Sequence, residues 1–281
     1  MLVSMTPILR EATRKGYGIV APNIFDGYTV EVAFKVAYEM RAPMVLDSNG
    51  TMEHMEYIGE VTRFFCKRYP DLPVTLNLDH GSDLENVMQA IRAGYSSVMI
   101  DKSSVPFEEN VRETAEIVRI AHKVGVSVEA ELGHVGFGRQ YEVDGDSNLT
   151  MPEDVVEFVR RTDVDALAVA VGTAHGHYSG IPHIDFDRLD AIRKVSDIPL
   201  VLHGGSSTGD ENLRKAIQHG VSKVNIGTDL GDAGIRSMKD YLSSYDPNKR
   251  GVIEYVYEAG AAGFGEKLKQ YMELFGERDR W

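Results

Sequence analysis

One cysteine, Cys66, stands in a chain of 281 residues, so no intrachain disulfide can form and a reducing compartment is expected. No apolar run approaches the ~18 residues that a membrane span needs. The opening stretch MLVSMTPILREATRKG lacks the basic-then-apolar layout of a secretory signal, and the expected location is the cytoplasm. Basic residues are also few. The 30 Lys and Arg against 43 Asp and Glu leave a formal net charge of -13, which argues against nucleic acid or an anionic membrane as the main partner. No Gly-x-Gly-x-x-Gly follows the first apolar run, so an open dinucleotide-binding sheet has no support. No Gly/Ser-rich linker or composition break appears before Asp229.

What the chain does have is alternation. Short apolar runs at 18–24, 43–48, 73–79, 97–101, 127–132, 166–172, 200–204 and 223–227 alternate with helix-periodic segments, the sequence signal of βαβ units. The runs are continuous more than alternating, as in strands covered on both faces. Leu84, Val87, Met88 and Ile91 follow helical spacing, with Gly94 where a C-terminal cap belongs. Phe107, Val111, Val118 and Ala121 do the same before Gly125, and Leu213, Ala216 and Ile217 before Gly220. Asp83, Pro152 and Asp210 read as helix starts. The segments AIRAGYSSVMID (90–101) and AIQHGVSKVNIG (216–227) echo each other in register. Eight such units in one chain of this length predict an α/β fold, a (β/α)8 barrel built as a single domain over 1–281. Residues 230–281 would form a C-terminal helical extension of two or three helices.

A barrel of this kind places its chemistry at the C-terminal ends of its strands. Those ends carry Asn23, Ser48, Asp79-His80, Asp101, Glu131, His175, His203 and Asn225. Three histidines, each closing an apolar run, suit a metal site that keeps an open position for substrate. His177 adds an H-x-H in TAHGHYSG, but after the sixth strand it reads as loop, or at most as a substrate contact. The stretches HGGSS (203–207) and NIGTD (225–229) follow strands 7 and 8, where barrels commonly hold phosphate. Gly204, Gly205 and Gly227 let backbone N–H groups approach an anion, and Ser206 and Thr228 add hydroxyl donors. Asp79, beside a candidate ligand, could orient a substrate hydroxyl and move its proton, or hold a ligand in place. Asp101 and Glu131 read as supports behind the ligands or as an alternate metal position. A hydrolase using metal-bound hydroxide is a competing reading, with His177 its special support. A non-catalytic barrel is another.

Taken together, LDHGSD, SVMIDKS, VSVEAELG, LAVAVGTAHG, PLVLHGGSS and KVNIGTDL resemble the class II, zinc-dependent ketose-bisphosphate aldolases, in order over roughly residues 4–230. That resemblance implies one Zn2+ held by His80, His175 and His203. It implies Asp79 as the acid exchanging a proton at the aldol hydroxyl. Gly176, Gly204, Ser206, Asn225 and Thr228 would contact dihydroxyacetone phosphate, and Asn23 and Ser48 fall among the family's active-site polar groups. It further implies a monovalent cation (Na+ or K+) near the phosphate loops, and a homodimer or homotetramer, to whose interface the C-terminal FGERDRW would be suited. The activity implied is retro-aldol cleavage of a ketose 1-phosphate or 1,6-bisphosphate.

The departures fall on the aldehyde side. The family's mobile Gly-Gly-x-Glu-Asp loop reads HVGFGRQYEVDGDSN here. Phe137 replaces the second glycine and Arg139 stands about where the glutamate belongs. Glu142 is the candidate to replace that acid, with Asp144 and Asp146 as alternatives. The usual Asn-x-x-Asn-x-Glu reads NIFDGY, with Asp26 and Tyr28 in the later places, and HGGSG becomes HGGSS at Ser207. A DPRKY-like stretch reads DPNKR, with Asn248 in the arginine's place beside Lys249 and Arg250. Arg139, Lys249 and Arg250 are candidate contacts for an anionic group on the aldehyde product, through the planar guanidinium fork in the case of the arginines.

Overall fold

All eight apolar runs are strands in the computed structural model, which describes residues 2–138, 149–178, 182–246, 248 and 250–281. They are β1 (Ile19–Pro22), β2 (Met44–Ser48), β3 (Val74–Gly81), β4 (Ser97–Ile100), β5 (Ser127–Leu132), β6 (Ala166–Val169), β7 (Leu200–Leu202) and β8 (Val221–Ile226). Every pairing is parallel, in the order β1-β8-β7-β6-β5-β4-β3-β2. The two ends of the series meet where Asn23 bridges Asp47 and the Ile24 N–H donates to the Asp47 carbonyl at 2.9 Å. The sheet curls on itself as the predicted (β/α)8 barrel.

Helices α1 (Met5–Lys15), α2 (Gly27–Met40), α3 (Met52–Arg68), α4 (Leu84–Ala93), α5 (Phe107–His122), α6 (Pro152–Thr162), α7 (Phe186–Val195), α8 (Asp210–Gln218), α9 (Thr228–Ser243) and α10 (Ile253–Phe275) complete the described elements. Their ends follow local chemistry. Asp83 caps α4 by accepting the Asn86 N–H at 2.8 Å, and Gly94 ends that helix at φ +92°, a conformation that costs any residue with a Cβ. Pro152 opens α6 where its missing N–H costs nothing.

Two helices have positions that the sequence did not specify. Helix α1, which periodicity alone did not single out, buries Met5, Ile8, Leu9 and Ala12 against Ile19, Ala21, Val45, Ala166, Ala168 and Val201. It thereby plugs the N-terminal mouth of the barrel. At the other end of the chain, residues 230–281 form the helices expected there, the rest of α9 and α10, and α10 also takes a place in the ring of helices. It packs on β1 between α2 and α8, while α9 packs chiefly on α10. The reason is its apolar face: Phe264, Leu268, Tyr271, Met272 and Phe275 are all buried. The last residues fold back on the chain itself: the Arg280 and Trp281 N–H groups donate to the Arg41 carbonyl, and the Trp281 ring packs 5.6 Å from that of Tyr38. Among the described residues no helix is long and apolar enough to cross a membrane.

Candidate active site

Because side chains alternate along a strand, the inward positions of the barrel can be read every second residue. Above the apolar plug made with α1 they turn polar: Asp47 on β2, Asn77 and Asp79 on β3, Glu129 and Glu131 on β5, His203 just past β7, and Lys223 and Asn225 on β8, all buried. The lower members pair with one another. The Lys223 ammonium lies 2.8 Å from Glu129 Oε2 and 3.1 Å from Asp47 Oδ2, while Asn77 Nδ2 donates to Asp47 Oδ1 at 2.9 Å. Burial pulls the Lys223 ammonium toward neutrality, but Asp47 and Glu129 outweigh it and raise its pKa. Burial likewise works against the Glu129 carboxylate, and Lys223 and His203 overcome it, leaving Glu129 below its ordinary range. Asp47, where burial wins, is pushed up to about 7.

On this charged floor stand the three histidines. His203 Nε2 faces Glu129 Oε1 at 2.9 Å, and His80 Nδ1 faces Asp101 Oδ2 at 2.8 Å. An ionised carboxylate accepts only, so each imidazole donates one ring N–H there and turns its other nitrogen toward the neighbouring histidine; burial works against the His80 charge, but the Asp101 hydrogen bond and the Asp79 and Glu131 charges raise its pKa to about 9. Those remaining atoms, His80 Nε2 and His203 Nδ1, are 2.9 Å apart, and the His175 ring stands edge-on to both. Two lone pairs at that distance repel unless a proton or a cation lies between them. Burial, with His203 and His80 as like-charged neighbours, drives His175 down to about 3, which leaves it neutral. One donor atom from each of the three lies within 4.8 Å of the others, and so do donors of His80, Asp101 and Glu131. Glu131 Oε2, buried, has no hydrogen-bond partner. The donor set fits a divalent cation, which would take the place of the proton between His80 and His203: two imidazoles held from behind by carboxylates, a third that is neutral, and a further carboxylate oxygen unspent.

His80 itself sits at φ +50°, where a non-glycine residue is strained, at the register shift between Leu78 and Gly81. Such strain concentrates at sites where side-chain aim matters more than backbone comfort. His175 is fixed differently. Its N–H donates to the Gly136 carbonyl and its carbonyl accepts from the Gly138 N–H, both at 2.8 Å, so the segment after β5 is stitched to it. Phe137, the departure from the family's glycine, lies within that stitch, exposed, its ring 6.1 Å from the His175 ring.

Asp79 is buried beside the triad, 3.9 Å from His80 Nε2. Asn23 Nδ2 donates to one of its oxygens at 2.8 Å and Asn225 Nδ2 to the other at 3.1 Å. Burial raises its pKa, but His80, His203 and Lys223 together with the Asn23 hydrogen bond lower it more, so the group is ionised. Asn225 Oδ1 is left buried without a partner.

The anion loops are close by. Gly204 has φ +67°, and a Cβ there would lie 2.3 Å from the Ala174 carbonyl oxygen, so neither conformation nor space admits another residue. Gly176 also has positive φ, at +80°. Ser206 Oγ accepts from the Asp229 N–H at 3.2 Å, and Gly227 and Thr228 form the N-terminus of α9. Tyr178, which sequence reading passed over, joins the two loops: its hydroxyl donates to the Gly204 carbonyl at 2.9 Å and accepts from the Ala174 N–H at 2.8 Å.

The structure thus brings together Asn23, Asp79, His80, Asp101, Glu131, His175, His203 and Asn225, with Gly204, Gly205, Ser206, Gly227 and Thr228 on the adjoining loops. Ser48 ends β2, buried, one residue past Asp47. His177 stays off the cluster, its Nε2 3.4 Å from Asp232 on α9. Arg250 lies exposed in the α9–α10 connection, not at a strand end. Arg139, Glu142, Asp144, Asp146 and Lys249 lie outside the described residues. The residues that sequence reasoning missed are Asp47, Asn77, Glu129, Lys223 and Tyr178.

Comparison with known proteins shows the family and the fold. The family model described as "Fructose-bisphosphate aldolase class-II" matches residues 3–280. The solved YdjI aldolase of Escherichia coli K12 is 29% identical, with a TM-score of 0.87 over 99% of this chain and 98% of that one. A putative fructose-1,6-biphosphate aldolase from Coccidioides immitis is 27% identical, with a TM-score of 0.84 over 97% and 96%. The fructose-bisphosphate aldolase of Campylobacter jejuni shares the fold at 20% identity, with a TM-score of 0.83 over 100% of this chain and 97% of that one.

Proposed function

The chain belongs to the class II fructose-bisphosphate aldolase family, and from that premise we propose that it is a zinc-dependent aldolase cleaving a ketose 1-phosphate or 1,6-bisphosphate between C3 and C4 to give dihydroxyacetone phosphate and an aldehyde. The observation that carries the reading is the convergence of His80, His175 and His203 beside an ionised Asp79 that two asparagine amides hold in place. His80 Nε2 and His203 Nδ1, 2.9 Å apart, with a ring nitrogen of His175, are the atoms that would hold the zinc.

Bound there, zinc supplies Lewis-acid stabilisation to the ketose carbonyl and hydroxyl oxygens. The remaining work falls to the chain's own groups. Asp79 accepts the proton of the C4 hydroxyl as the C3–C4 bond breaks; the C4 oxygen becomes the aldehyde carbonyl, and the bond's electron pair stays with the three-carbon fragment. Asn23 and Asn225 hold the two Asp79 oxygens, and the partnerless Asn225 Oδ1 is placed to accept from a substrate hydroxyl. The Gly204–Ser206 backbone and the start of α9 receive the phosphate. The proton that completes the three-carbon product at C3 comes from a loop acid, for which Glu142 is our candidate. Arg139, Lys249 and Arg250 are the candidates for an anion on the aldehyde. A monovalent cation near the phosphate loops and a homodimeric or homotetrameric assembly belong to the same reading. Exposed Ile235 and Leu242 on α9 and Ile253 and Tyr255 on α10 support the assembly.

The test is proton exchange at the hydroxymethyl carbon of dihydroxyacetone phosphate in deuterated water, followed by NMR with zinc-loaded enzyme. Exchange by the wild type that disappears in His203→Ala is the expected result. Zinc-bound enzyme that does not exchange would set the lyase reading behind a non-catalytic or hydrolytic one.

A further inference from the structure

Ser207 presents a problem that the proposed chemistry does not explain. It stands at φ +60° in an exposed loop where the resembling family has glycine, so its Cβ is a cost and its hydroxyl is not needed to fill space. What it gains is a grip on Asp229. The Ser207 N–H donates to Asp229 Oδ2 at 2.9 Å, and its Oγ donates to Oδ1 at 3.1 Å. Asp229 in turn donates its own N–H to Ser206 Oγ, so two consecutive residues of the loop after β7 are tied to one residue of the helix after β8.

The same carboxylate has a third donor. The Tyr271 hydroxyl, from α10, donates to Asp229 Oδ2. Tyr271 is buried, its ring 5.8 Å from that of Phe275 and covered by the Lys267 ammonium at 4.6 Å from the ring centre. A hydrogen-bonded strut therefore runs from the C-terminal helix, through Asp229, to Ser207 and Ser206.

We propose that Tyr271 is a positioning residue for the anion site: acting through Asp229, it fixes the Gly204–Ser207 loop in the conformation that receives the substrate phosphate. The proposal rests on the reading of this loop as the phosphate site. A loop ordered in advance has already lost the freedom that binding would otherwise take from it, so the strut contributes to affinity for phosphate and not to bond cleavage. It also assigns the C-terminal helix a part in the site although none of its side chains need touch substrate.

Metal-loaded full-length enzyme, Tyr271→Phe and Ser207→Gly are compared by two readouts. One is the KM and kcat of dihydroxyacetone phosphate exchange; the other is the dissociation constant of inorganic phosphate, titrated by 31P NMR. Both variants are expected to raise KM and the phosphate dissociation constant together, by roughly threefold to tenfold for one hydrogen bond of ordinary strength, with kcat within twofold and metal content unchanged. Ser207→Gly is the sharper arm, because glycine relieves the backbone at φ +60° and a merely tolerated serine would predict no loss; its exposed side chain also keeps the test available should Tyr271→Phe fold poorly. A wild type that exchanges and binds phosphate, with both variants unmoved, overturns the strut alone. A fall in kcat without a change in KM or phosphate affinity overturns it too. A wild type that binds no phosphate and does not exchange removes the phosphate reading first, and the strut with it.

Discussion

Lysine rarely ends up wholly buried, and Lys223 does so beneath the metal-ligand cluster with two carboxylates as partners. Replacing it by methionine keeps the stem and deletes the charge. Glu129 would then face an apolar neighbour while still accepting from His203, and Asp47 would keep only Asn77. Removing one partner of a buried ion pair costs roughly 3–5 kcal/mol, because the orphaned charge is paid for in full. Part of that loss is relieved here, since Asp47, already pushed up to about 7, can take a proton. At somewhat under 2 °C per kcal/mol for a chain of this length, the melting temperature of Lys223→Met should fall by roughly 4–8 °C at neutral pH. The assay is thermal unfolding by circular dichroism across pH, on Lys223→Met and on Lys223→Met combined with Glu129→Gln and Asp47→Asn. The combined variant, with no orphaned charge, should recover much of the loss, and the coupling reads the interaction directly. A single variant melting within about 2 °C of wild type would show that the buried charges are not mutually dependent and would refute the reasoning.

Two further outcomes follow from groups that burial perturbs. Glu277, wholly buried just beyond α10, has neither oxygen in a well-formed hydrogen bond, and burial holds its pKa well above the usual range against the Val20 backbone. Its folded pKa exceeds its unfolded one, so its contribution is present below the unfolded value and is lost as pH rises through the folded one. The melting temperature of Glu277→Gln relative to wild type should therefore climb from about pH 4.5, the ordinary glutamate value, toward neutrality; a flat difference would be the contrary result. Asp79→Asn turns an ionised acceptor into an amide whose NH2 must face the amide of Asn23 or Asn225. Cleavage should drop roughly 100- to 10,000-fold, the range for losing a general acid–base group, while zinc content measured by elemental analysis stays at wild-type level. Turnover within tenfold of wild type would place the proton transfer elsewhere.

The barrel and the residues at its mouth were legible because both leave marks that a linear reading can use. Continuous apolar runs announce strands covered on both sides, and a histidine or aspartate closing such a run has few reasons to be there apart from chemistry. The charged floor left a fainter mark, diluted across strands. Glu129 and Glu131 alternate in SVEAEL, Lys223 and Asn225 in VSKVNI, Asn77 and Asp79 in VTLNLD. In any one strand this resembles a solvent-facing edge. Only when the strands close on each other does the polar face become the inside, and the same alternation then means a buried network. The position of α10 was hidden for a related reason. Its apolar face could equally have served a partner subunit, and nothing local in the sequence says that β1 needs a cover between α2 and α8. Tyr178 and Tyr271 were beyond reach altogether, since a tyrosine's spacing in sequence says nothing about which loop its hydroxyl will meet. What distinguishes the two classes is whether a residue's role is set by its neighbours along the strand or by closure of the ring. Ser207 belongs to both: its departure from glycine is visible in the sequence, and the carboxylate that makes the departure tolerable arrives only with the fold.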